Sequence, residues 1–517
     1  MIKYFQTSLK VKLSFLGVII FFTNTYPFQD SIKSQVTTPD TYNQDTVASV
    51  GPVNISVEEF YNSYEFGPAF VKRKKDSKKR YLNYMINEKL LALDGYSRGV
   101  DKNDDVESIL KDFENDIATE EMFKVDILSK IEISDEEIDT VITQKQLELD
   151  VRWFYAETGG ELNKFTDALA SGISFDSLYL LQFKDSIYLD DRSMKINRFQ
   201  LGKKNPELAA IIDTLPVGQV TEPIKAFDGW YIFILDNIMQ NVIIPESELM
   251  RLQQESINFL KKKKMDQISD KYVNQLLLAQ DPVIKRQSFN VLRSFIGNYT
   301  LTKEIYEDWE LSEKLDAALT ELQVTKEDVG QSVLVKMNEG YVTLEEFLKW
   351  YRNRSQYVKL DKNDLRSFSK SLENLIWRML RDKLLSEKAY KRNFHHTESF
   401  EKQAKWWKEK IVYSAVKREI IESVALEQDE VILNKPDSLS SESKDEIMRL
   451  NISRQLLNKI NKLKNTYNIK INENVLENVI VSEENNPKAI DFYTVKKGGL
   501  IPRTPYPTID FEWINWE

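Results

Sequence analysis

The sequence predicts an α+β protein, mainly helical, in which two copies of one helical module are joined by a small α+β domain inserted into the first. Three observations predict it. Two long segments with helical apolar spacing align to each other without a gap. Between about 150 and 240 the pattern changes to short strands and helices. A chain of 517 residues also exceeds what a single hydrophobic core usually organises.

The repeat pairs "YLNYMINEKLLALDGYSRGV" (81–100) with "LIWRMLRDKLLSEKAYKRNF" (375–394) at a constant offset of 294 residues. Leu82 matches Ile376, Met85 matches Met379, Leu90 matches Leu384, Tyr96 matches Tyr390 and Arg98 matches Arg392. The same offset carries Val106 to Phe400, Phe113 to Trp407, Ile117 to Ile411 and Ile127 to Ile421. Leu82, Met85, Ile86 and Leu90 form one apolar stripe of a helix. Each copy opens on a strand followed by a helix, "VNISVEEFYNSY" and "GYVTLEEFLKWY". In both, Ser56 or Thr343 stands three residues ahead of a Glu (Glu59, Glu346), the spacing of a capping box.

The expected organisation follows. A signal or N-terminal anchor over 1–29 precedes a flexible linker over 30–49 and the first module over 50–149. The inserted domain runs over 150–240, and a helix within 241–295 completes the first module. A connector over 296–332 leads to the second module, 333–435, completed by a helix within 436–480. An extended tail rich in Pro and aromatic residues occupies 481–517.

Charge and composition exclude several function classes. The net charge of -10 disfavours nucleic acid, whose binding rests on Lys and Arg. The basic runs "VKRKKDSKKR" and "KKKK" read as solvated helix faces. Lys3, Lys10 and Lys12 precede "LSFLGVIIFF", a basic and then apolar pattern that predicts export, with an uncleaved anchor as the alternative. With no Cys there is neither a disulfide framework nor a thiol nucleophile. No Gly-x-x-x-x-Gly-Lys-Ser/Thr loop is present to cradle ATP. The only two His, His395 and His396, adjoin each other in a turn, and spacing supplies no third metal ligand. The sequence therefore calls for neither a cofactor nor a metal.

The inserted segment carries "LASGISFDSL", "LPVGQVTEPI" and "DGWYIFIL". In these stretches it resembles a parvulin-type peptidyl-prolyl isomerase domain, an FKBP-like α+β fold. The helical modules resemble the chaperone part of proteins of the SurA and PrsA kind. The resemblance implies an apolar proline pocket and two catalytic His beside a Cys or Asp, and this chain departs from that set. The His positions hold Trp153 and Tyr231, the pocket's Met and Phe fall near Lys204 and Leu208, and Asp185 or Asp190 stands nearest the central acid. The framework is retained at Gly172, Phe175, the Leu215–Pro223 turn and Gly229.

The resemblance thus implies an ATP-independent periplasmic chaperone or foldase. It would hold unfolded outer-membrane or secreted proteins and would have lost isomerase chemistry of the usual kind. An active isomerase with a variant pocket and a structural subunit of an envelope secretion or assembly machine are the alternatives. Candidate client contacts are Trp153, Phe183 and Tyr231 in the insert and Trp350, Trp377, Trp406 and Trp407 in the second module. Core filling competes with client contact at most of them. The tail "GGLIPRTPYPTIDFEWINWE" is expected either to add as a strand, to occupy the client groove in cis, or to pack on the body.

Overall fold

The computed structural model describes residues 46–183, 192–226, 228–240, 245–355, 358–434, 441–482 and 504–516. The signal or anchor expected over 1–29 lies outside the described residues, as do Asp185 and Asp190. The chain is mostly helical with small antiparallel sheets, an α+β architecture. It divides into two compact units, residues 1–130 with 266–517 and residues 131–265.

The larger unit begins with a hairpin of β1 (Thr46–Val50) and β2 (Val53–Ser56). The linker expected over 30–49 therefore gives way to a strand at Thr46, because Val47 and Val50 have core to enter. Helix α1 (Val57–Phe66) starts where the Ser56 Oγ accepts the Glu59 N–H at 3.1 Å. That is half of the expected capping box; the Glu59 carboxylate pairs with the buried ammonium of Lys89. Lys89 lies on α2 (Ser77–Ser97), which a 3-10 turn at Val100–Lys102 joins to α3 (Asp104–Asp126).

The smaller unit starts with α4 (Asp135–Gln146), closed at its N-terminus by a capping box between Ser134 and Glu137. There follow β3 (Leu147–Ala156), α5 (Gly159–Ala170), α6 (Phe175–Phe183), β4 (Ser193–Asn197), α7 (Arg198–Lys204), α8 (Pro206–Asp213), β5 (Ile224–Lys225) and β6 (Trp230–Gln240). The strands form one antiparallel sheet, order β4-β3-β6-β5. Alternation along β3 and β6 divides the core in two, as a pleated sheet buried on both faces requires. Leu149, Val151, Phe233 and Leu235 pack under α7 and α8, and Phe154, Ile232 and Ile234 under α5 and α6. The unit is wider than the expected 150–240, because Ile138, Val141 and Ile142 of α4 cluster with Leu260.

Leu260 belongs to α9 (Glu246–Gln280), whose later residues belong to the larger unit. The chain continues through β7 (Val283–Ile284), α10 (Arg286–Thr300), α11 (Leu311–Leu322), β8 (Val333–Lys336), β9 (Tyr341–Thr343) and α12 (Leu344–Arg354). Here Thr343 and Glu346 complete the expected capping box. The long helices α13 (Leu365–Lys391), α14 (Glu398–Asn434) and α15 (Ser441–Thr466) lead to β10 (Ile469–Ile471). The connector expected over 296–332 is itself helical: Leu319 and Ala318 of α11 join Val291 and Ile296 in the core under the β8–β9 hairpin.

The strands that follow each copy pair across the repeat, while α15 packs on α14 of its own copy and on α2. The order β10-β1-β2 places the last strand, with Ala48 opposite Ile471, on the first copy's hairpin. The order β7-β8-β9 places the strand after α9 on the second copy's hairpin. At 1.5 Å per residue, the 26-residue α15 carries the chain about 39 Å before β10 begins, so closure is set by where that helix delivers the strand. The helices cross in the same sense, α14 packing on α2 and α3, and α3 on α13. Phe113 and Trp407, matched by the repeat, stack on each other with ring centroids 4.1 Å apart.

Candidate functional site

In the smaller unit, Trp153 and Tyr155 of β3 stand opposite Phe233 and Tyr231 of β6, and all four share one face of the sheet. Phe233 lies between the other two rings, 6.2 Å from Trp153 and 5.7 Å from Tyr231, and Tyr155 lies 5.2 Å from Tyr231. Trp153, Tyr155 and Tyr231 are half-buried, so the row continues the core under α7 and α8 out to the surface. The end of the row is held by the turn before β6. The Tyr231 hydroxyl donates to Asp228 Oδ2 at 2.7 Å, and the Tyr155 hydroxyl donates to the Asp228 carbonyl at 2.6 Å. Gly229 permits this approach, since a Cβ there would stand 2.4 Å from the Tyr155 ring. Burial, then the hydrogen bond to Asp228, pushes the Tyr231 phenol up to about 12.

On the opposite face Arg152 closes the sheet against α6. Its guanidinium pairs with Asp236 through two hydrogen bonds of 2.6 Å and with Asp176 at 2.7 Å, and it covers the rings of Phe175 and Tyr179. Leu208, on α8, is buried in the core with Leu149, Val151 and Leu235. The Phe183 side chain is outside the described residues.

Of the candidates in the larger unit, Trp350 is buried, its indole N–H donating to Asp382 at 3.1 Å. Trp377 is half-buried against the same core. Trp406 and Trp407 are buried and lie against the chain's own C-terminal segment. Trp350, Trp406 and Trp407 thus pack within the protein, and Trp377 keeps an accessible edge.

The C-terminal segment, residues 504–513, is extended and then turns into a short 3-10 helix, Phe511–Trp516; residues 504–510 form no strand. Its seat is built by α2, α3 and α14, with Phe66 of α1 at one end. Side chains there read its backbone: Glu120 accepts the Thr504 N–H at 2.8 Å, the Trp407 indole donates to the Pro505 carbonyl at 2.8 Å, and Glu88 accepts the Asp510 N–H at 2.8 Å. Tyr506 rests on Phe66, 5.1 Å away. Trp513 is 2% exposed, stacked between Tyr84 and Tyr413, and donates its N–H to Glu88 at 2.9 Å. Glu88 is in turn held by Lys410 at 2.7 Å.

Asp510 accepts from the Tyr413 hydroxyl at 3.2 Å and pairs with the ammonium of Lys417, a side chain 4% exposed that also meets Glu512. Burial pushes the Asp510 carboxyl up, but Lys417 and then Lys410 outweigh it and hold it below its usual value. The sequence reading missed Glu88, Lys410, Tyr413 and Lys417. The signal available was their position: 410, 413 and 417 fall on one face of α14, amid an apolar helix stripe where a Lys is out of place.

The offset of 294 maps Glu88 to Asp382, Lys410 to Asp116 and Lys417 to Phe123. Asp382 and Asp116 line an open groove of about 1810 Å³ among α3, α12, α13 and α14. Here an acid replaces Lys410, and Arg354 of α12 sits among Asp112, Asp116 and Asp382 instead. The groove and the seat thus differ in charge at the position of Lys410.

No family model matches the chain, and no curated protein matches it. Among solved structures, the crystal structure of a peptidylprolyl isomerase (PrsA) from Bacillus cereus is similar at 16% identity, over 54% of this chain and 98% of that chain, with a TM-score of 0.20. Among the described residues no helix is long and apolar enough to cross a membrane.

Proposed function

We propose that the protein is an ATP-independent chaperone that holds extended polypeptide, with a parvulin-like domain that does not turn proline bonds by the usual chemistry. Rotation about an X-Pro amide has a barrier of about 18–20 kcal/mol, and a parvulin-type site lowers it with paired imidazoles in a proline pocket. The observation that carries the reading is the row of Trp153, Tyr155, Phe233 and Tyr231 on β3 and β6. Where the resemblance expects two imidazoles, it offers half-buried rings and a phenol that keeps its proton through neutral pH. Such rings give apolar contact area with a polar edge, suited to stacking on extended chain.

In this reading two related helical modules form a cradle, and export places the protein in the periplasm, soluble or tethered by its N-terminus. Its clients are unfolded outer-membrane or secreted proteins, and no cofactor is required. Several weak contacts supply avidity while each releases quickly. Light scattering from a denatured outer-membrane protein diluted out of urea tests it. The intact chain is expected to suppress aggregation near equimolar ratio, and Trp153→Ala with Tyr231→Ala to weaken suppression severalfold without lowering the melting temperature of the larger unit. Full suppression by the double variant would remove the aromatic row from the account.

A further inference from the structure

The described core contains one extended peptide already bound, the chain's own residues 504–513. We propose that its seat on α2, α3 and α14 is a binding site for extended peptides carrying a carboxylate three residues ahead of a Trp, and that the tail is an exchangeable resident occupant. The proposal rests on the holding function above and names the chemistry of one segment class that would be held.

Three observations carry it. The seat reads backbone: Glu120, Trp407 and Glu88 bond to main-chain groups of the segment, a mode of recognition indifferent to most of its side chains. Two positions are then read as side chains. The indole enters a slot between Tyr84 and Tyr413 floored by Glu88, and the carboxylate reaches Tyr413 and Lys417. Finally, Lys417 is buried. Departure of the tail withdraws two carboxylates from a desolvated ammonium, an unfavourable loss that another acidic segment makes good. The seat therefore favours exchange over vacancy. The groove related by the repeat holds Asp116 where the seat holds Lys410, so an acidic segment is disfavoured there and one such peptide per chain is expected.

The test uses the full chain with a protease site introduced between 483 and 503, cut after folding. A fluorescently labelled peptide, "TPYPTIDFEWINWE", is then offered in excess. The expected result is replacement of the severed tail at one peptide per chain, with Asp510→Ala and Trp513→Ala peptides each at least tenfold weaker. In the uncut chain, Asp510→Ala should raise uptake of the wild-type peptide at least tenfold over the unmodified chain. The proposal is overturned if the severed tail stays bound against a hundredfold excess, if a scrambled peptide binds as well, or if cutting unfolds the larger unit. The uncut chain's suppression of client aggregation is recorded alongside. Suppression without exchange overturns the seat alone, whereas loss of suppression overturns the holding reading itself.

Discussion

Replacing Lys89 by Met probes the contact between the two repeat copies most sharply. The Lys89 ammonium sits between Glu59 of α1 and Glu409 of α14, three side chains each under 10% exposed. Met keeps the length of the side chain and most of its packing but removes the charge. Two buried carboxylates then face each other without their shared cation, a situation that typically costs about 3–5 kcal/mol.

The pH dependence identifies the cause. In the native triad, burial pushes the Glu59 carboxyl up to about 7, with Lys89 opposing and Glu409 adding to the rise. A carboxyl with a folded value above its unfolded value of about 4.5 holds more protons folded than unfolded, so its contribution to stability falls as pH rises from 4.5 to 7. Without Lys89 the folded value rises further and the fall extends to higher pH. Urea unfolding followed by far-UV circular dichroism should show Lys89→Met losing about 3–5 kcal/mol at pH 8 and clearly less at pH 5. Adding Glu59→Gln and Glu409→Gln should restore most of the loss. A loss below about 1 kcal/mol at pH 8, or one of equal size at both pH values, would refute the reasoning.

Further outcomes follow from the same geometry. Gly95→Ala adds about 1 kcal/mol of helix propensity, but its Cβ would meet Val412 at 2.5 Å and Val416 at 2.9 Å across α2 and α14. Overpacking wins, and a thermal melt should show a net loss of about 1 kcal/mol. Arg152→Ala leaves Asp236 without its paired hydrogen bonds and should cost the smaller unit about 2 kcal/mol, read as faster limited proteolysis between β3 and α6. Client binding at the aromatic row should be unchanged by Tyr231 ionisation from pH 6 to 9, because that phenol titrates near 12, and a spectrophotometric titration of wild type against Tyr231→Phe checks the value. Exchange of the severed tail should quicken in acid. Asp510, facing Lys417, Tyr413, Glu88, Lys410 and Glu512, has its folded value depressed, so its contribution is present above 3.8 and lost as pH falls through the folded value.

Much of the architecture was legible in the sequence, and the reasons are local. The stripe at Leu82, Met85, Ile86 and Leu90 is a helix because apolar spacing fixes the buried face, and Thr343 with Glu346 starts a helix because both capping partners lie within one turn. What was not legible depends on distance along the chain. Ile469–Ile471 and Val283–Ile284 are too short to announce the hairpins they close, and their partners are fixed by long helices in between. Glu59 reads as a capping residue until Lys89 is seen beside it. In the candidate sites, Trp153 and Tyr231 are legible because they fall where the motif resemblance expects His. The tail's seat was missed because the misplaced Lys417 on the apolar face of α14 does not name its partner, which arrives from a segment some 90 residues further along the chain.

The claim at the centre is that this chain grips extended polypeptide without turning proline bonds. Its most direct test is a protease-coupled proline-peptide assay run beside a binding titration with a denatured, fluorescently labelled polypeptide, using the same preparation. The account predicts saturable binding with isomerisation indistinguishable from the uncatalysed rate. Robust catalysis abolished by Trp153→Ala, with no affinity for the denatured chain, would contradict it.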